Sequence, residues 1–145
     1  MEPRDIAIAQ ARGRIAVGAA LLAVPGLAVR GWVGDDASRP TAKVITRALG
    51  AREVAIGLGI VIAIDRGAPV RGWLEAATLA DGADVLATLI AGRELPATGR
   101  FGVLAMAAGS AAIGGWLARN IDSEGEGLAG MTPEAAITGH PPEQG

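Results

Sequence analysis

Six residues set in two otherwise apolar stretches have types and spacing that could do chemistry: Arg47, Arg52 and Glu53 in one, Thr78, Asp81 and Asp84 in the other. Guanidinium groups facing carboxylates can lock two segments together as forked ion pairs. They can also hold a lipid phosphate or a quinone-like ligand, or relay protons where water is excluded. A metal site is a poor match. The chain has no Cys, its one His is His140 near the end, and two Arg compete for the same carboxylates.

Two motif-like strings fail on context. Asp81-Gly82-Ala83-Asp84 matches the start of the signature of membrane phosphotransferases that act on nucleotide-activated alcohols. That signature needs a following Ala-Arg and two further Asp on the next helix, and the segment 100–119 has no Asp. Gly57-Leu58-Gly59 and Gly92 lack the strand-to-helix setting of a dinucleotide fingerprint. No catalytic motif stands out, so the sequence reads as a non-enzyme without a cofactor.

The elements that position these residues are read from composition first. Of 145 residues, 50% are apolar by type but only 3% aromatic, so the hydrophobicity comes from Ala, Val, Leu, Ile and 22 Gly. Such small residues suit helices that approach closely in lipid. Net charge is −2 and unevenly placed: from Arg119 onward one base meets five acids, leaving twelve bases and ten acids before it. That balance gives no basic field and no reason to expect a nucleic-acid partner. Twelve of the thirteen bases are Arg, which together with the Ala and Gly excess suggests a GC-rich bacterial source.

Hydropathy predicts an all-α, four-helix transmembrane bundle over residues 1–120, with helices at about 12–30, 41–64, 70–91 and 100–119, and a disordered acidic tail at 121–145. Arg12 and Arg14 flank the first span and are expected to snorkel outward, with Pro25 tolerated near its far end. A cleaved signal peptide is the rival reading of that segment. Trp32, Trp73 and Trp116 fall where interfacial aromatics belong. The fourth span has no ionisable group between Phe101 and Ala118, and its Ala105, Gly109, Ser110, Gly114 and Gly115 predict close helix contact. Six bases on the terminal side (Arg4, Arg12, Arg14, Arg66, Arg71 and Arg119) face Arg30, Arg39, Lys43, Arg93 and Arg100, a slight lean toward cytoplasmic termini. His140 lies in the tail, where a structural or accidental role outweighs catalysis.

The turn Asp65-Arg66-Gly67-Ala68-Pro69 is short enough to make the second and third helices antiparallel neighbours. Counting inward from it, Arg52 lies about 18 Å deep and Asp81 about 16 Å deep, which predicts that the two pair. Glu53 lies at the same level, and Arg47 is expected to reach Asp84. Thr78, Asp81, Asp84 and Thr88 share an arc of about 120°, a polar stripe that should face the second helix.

Arg47-Ala48-Leu49-Gly50-Ala51-Arg52-Glu53-Val54-Ala55-Ile56-Gly57, then Trp73 and Ala80-Asp81-Gly82-Ala83-Asp84, resembles a known pattern. It is that of a family of small uncharacterised bacterial four-span membrane proteins, of the domain-of-unknown-function kind, and of membrane segments attached to some polyketide-cyclase-like proteins. The likeness covers roughly residues 13–118. Its recurring elements, Gly-x-Arg-Glu on one helix and Asp-x-x-Asp on the next, correspond to Gly50, Arg52 and Glu53, then Asp81 and Asp84. The family brings no activity with it.

The expectation is therefore a multi-pass protein of the bacterial inner membrane, with the lipid bilayer and a protein partner or a second copy as its contacts. It would be a noncatalytic lipid- or partner-binding bundle held by an Arg/Asp network. A small transporter or proton-coupled component using Asp81 and Asp84 is the alternative, and a soluble Ala-rich bundle a third reading.

Overall fold

The computed structural model describes residues 2–121, and helix is the only regular structure among them. Four long helices dominate: α1 (Pro3–Ala23), α4 (Pro40–Asp65), α5 (Arg71–Ala91) and α6 (Ala97–Asn120). Two one-turn helices, α2 (Pro25–Ala28) and α3 (Arg30–Val33), and a 3-10 turn at Gly34–Ser38 carry the chain from α1 to α4. The predicted tail beyond Ile121, His140 included, lies outside the described residues.

The first helix differs from its expected span of 12–30 at both ends. It begins at Pro3, where proline loses nothing at the first helical position. The Asp5 carboxylate accepts a 3.3 Å hydrogen bond from the Glu2 backbone N–H there. It ends at Ala23 because Pro25 lacks an N–H and drives Val24 out of the helical region (φ −129°, ψ 58°). Pro25 thus breaks the helix that the sequence reading carried through it.

The helices pair unevenly. α1 lies antiparallel along α4, with Gly18 opposite Gly50, Ala11 opposite Gly57, and the Arg4 guanidinium donating to the Ile64 carbonyl at 2.6 Å. A Cβ at Gly18 would stand 2.6 Å from the Gly50 oxygen, and one at Gly50 2.7 Å from the Gly18 oxygen, so only glycine permits this approach. The α4–α5 turn is short, and Gly67 supplies its left-handed residue (φ 62°). Beyond it α4 and α5 meet through side chains, Trp73 against Gly59 and Arg52 against Asp84, while α5 approaches α6 more closely. α4 and α5 are therefore neighbours as expected, but the glycine seam gives α4 a tighter neighbour in α1.

Along its length the bundle is layered. Ile60, Leu74 and Leu117, with Ala7, Ala11 and Ala77, fill the end that holds Glu2 and Ile121. Leu21, Val29 and Ala37, backed by Trp32 and Leu49, close the opposite end. Between these apolar layers Arg14, Glu53 and Asp81 are buried, while Leu27, Leu79, Ile90 and Phe101 are exposed on the outside. Among the described residues two helices, α1 and α6, are long and apolar enough to cross a membrane, with 28% and 22% of those stretches buried.

Candidate functional site

Arg14, Glu53, Asp81 and Ser110 each lie near the middle of a different long helix, and the antiparallel packing brings them to one level. The Arg14 side chain is 5% exposed. Its Nη1 donates to Glu53 Oε2 at 2.6 Å, and its Nη2 donates to Asp81 Oδ2 and, at 3.1 Å, to Ser110 Oγ. Arg52, partly exposed, forks onto Asp84 at 2.7 and 3.3 Å and also donates to Glu53 Oε1 at 2.9 and 3.2 Å. The forks supply charge-assisted bonds where water is scarce, which is what makes buried charges tolerable.

The arithmetic of this cluster is uneven. Two guanidinium groups face three carboxylates, Glu53, Asp81 and Asp84, so one negative charge is in excess. Five of the six carboxylate oxygens accept from an Arg nitrogen. Asp81 Oδ1 alone has no donor among the described residues. Three buried polar atoms among the described residues lack partners: Gln10 Oε1, Arg14 Nε and Trp32 Nε1.

All four of these residues line one interhelical cavity of about 390 Å³. Its ionic end is the cluster itself, its wall includes Val17, Leu21, Val103 and Met106, and Val29 and Trp32 stand at the capping end. A more open groove on the α1–α6 face shares Gln10, Met106 and Ser110 with it. Gln10 Nε2 donates to the Ser110 carbonyl (2.9 Å) and Oγ (3.0 Å), so a polar bridge separates groove from cavity. Among the described residues no group of His or acidic side chains is placed to hold a metal ion. An apolar cavity with a few fixed polar groups is the usual form of a small-molecule site.

The sequence-predicted residues are only partly brought together. Arg52, Glu53, Asp81 and Asp84 do meet, but the predicted Arg52–Asp81 pair is replaced by Arg52–Asp84 and Arg14–Asp81. The depth count put the residues at the right level and missed that α1 reaches the same level. Arg47 is exposed and pairs with no carboxylate among the described residues, correcting its expected reach to Asp84. Thr78 and Thr88 donate back to the carbonyls of Leu74 (2.8 Å) and Asp84 (2.7 Å). Thr78 also packs against Gly114 of α6, so the stripe does not face α4 as a unit.

Arg14, Gln10 and Ser110 are the residues the sequence reading missed. Placed beside the charge-free run, Arg14 reads as a flank that snorkels. The signal for a longer helix was Pro3 with Asp5 just behind it, a helix start that puts Arg14 near mid-length. With Arg14 interior, the count of flanking bases on the terminal side falls from six to five. Nor is Gly109 a contact: a Cβ there would meet nothing within 4 Å. No protein-family model, no curated protein and no solved structure matches this chain.

Proposed function

We propose that this chain is a multi-pass, noncatalytic membrane protein of bacterial type that binds one amphipathic small molecule. The polar end of that molecule rests on the ion network and its apolar part fills the interhelical cavity. The observation that carries the reading is the cavity of about 390 Å³, an aliphatic wall meeting buried charge at the mid-length of the helices. Membrane residence is supported by the inside-out distribution, charges buried at the centre and large aliphatics outward, which suits lipid as the solvent. The four long helices have 21, 26, 21 and 24 residues, about 32–39 Å of rise, against a hydrocarbon core of about 30 Å.

The test joins carbonate extraction with a cavity-filling variant. The chain is expected to stay with carbonate-washed membranes. In phosphatidylcholine nanodiscs it is expected to bind decanol saturably, above empty nanodiscs. Ala107→Phe, which puts a ring into the cavity, abolishes that binding while helical content and unfolding temperature are retained. Release by carbonate overturns the location, and unchanged decanol binding in the folded variant overturns the site.

A carrier that works through Asp81 and Asp84 is the second reading. The partnerless Asp81 Oδ1 favours it. The fork of Asp84 on Arg52 counts against two freely exchanging carboxylates.

A further inference from the structure

We infer that the molecule taken into this cavity is a monovalent amphipathic amine, whose ammonium group donates to Asp81 Oδ1 and Gln10 Oε1. The inference rests on the cavity being an amphiphile site and specifies which amphiphile it takes.

Charge comes first. An unbalanced charge between helices is costly, and the excess here is one unit, which a single cationic head restores to neutrality. An anionic head would double the imbalance. Every Nη nitrogen already donates to a carboxylate, so a phosphate would have to share these donors with Glu53, Asp81 or Asp84. A neutral quinone-like molecule would leave the excess standing.

Hydrogen-bonding capacity selects the same head. Asp81 is 5% exposed, lines the cavity and keeps one oxygen without a donor. Gln10 Oε1 is a buried acceptor without a donor, and its orientation is fixed because Nε2 donates to the Ser110 carbonyl, which can only accept. Two waiting acceptors beside a net negative charge suit an ammonium, which has three donors. The Nε of Arg14 and the Nε1 of Trp32 remain available to a hydroxyl or carbonyl elsewhere on the same molecule. A bare inorganic cation would want more oxygen ligands than these and would leave the aliphatic wall unused.

The probe series is decylammonium, decanol and decanoate, titrated into the full chain in phosphatidylcholine nanodiscs with empty nanodiscs subtracted. Decylammonium is expected to bind about tenfold or more tighter than decanol, with decanoate weakest. Asp81→Asn keeps an acceptor for Arg14 and removes the excess charge, and it is expected to erase the preference for the amine over decanol. Decanol or decanoate equal to or better than the amine overturns the inference and leaves the amphiphile site intact. If none of the three binds above empty nanodiscs, the site falls as well. The wild-type series decides by itself should the variant fail to fold.

Discussion

Arg14 of α1 is ion-paired with Asp81 of α5 across the interior, and the same guanidinium holds Glu53 of α4. One cation therefore joins the glycine-sealed α1–α4 pair to the α5–α6 pair at the level where aliphatic packing gives way to the cavity.

Arg14→Leu should cost about 3–5 kcal/mol, because it leaves Glu53 short of one donor and Asp81 with none. Removing the acid as well, Arg14→Leu with Asp81→Leu, should recover most of that loss, since Glu53 and Asp84 keep Arg52. Denaturant titration of the detergent-solubilised protein checks both. A double variant as unstable as the single one would show that Arg14 acts through packing alone.

Arg12→Leu is the matched control. Arg12 is exposed on α1 and makes no ion pair among the described residues. It lies about 13 Å from the start of the helix, near mid-length and on the outside of the bundle. Stability is expected within about 0.5 kcal/mol of the parent, with equal membrane yield.

Arg52→Lys should weaken the bundle by about 1–2 kcal/mol, as an ammonium cannot fork onto both Asp84 oxygens. A double-mutant cycle with Asp84→Asn isolates that term, and no coupling between the two positions would refute the fork.

Gly18→Val and Gly109→Ala should act in opposite directions. The first drives a Cβ into the Gly50 carbonyl and is expected to cost about 1–3 kcal/mol or to part α1 from α4. The second meets open space and should gain about 0.5–1 kcal/mol through helix propensity. Thermal unfolding followed by circular dichroism reads both.

Helix content and the level of the acidic residues were legible in the sequence because both depend on local pattern. Charge-free runs mark the helices, and the short turn before Val70 fixes a depth scale for Arg52 and Asp81. Neighbour choice was not legible. A short turn argues that α4 lies beside α5, but Gly18, Gly50 and Gly57 let α1 approach α4 more closely, and only the assembled backbone reveals glycines that face one another. Arg14 was hidden for a related reason: a charge at the edge of an apolar run looks like a flank until the helix start at Pro3 moves the edge. On α6 the opposite error occurred, where Gly109 matched a contact motif and faces nothing.

The filling of one end by Ile60, Leu74 and Leu117, each 0% exposed, has a consequence for traffic. It closes the bundle below the ion network like a stopper. Any route along the axis of the bundle would first require those three side chains to swing apart.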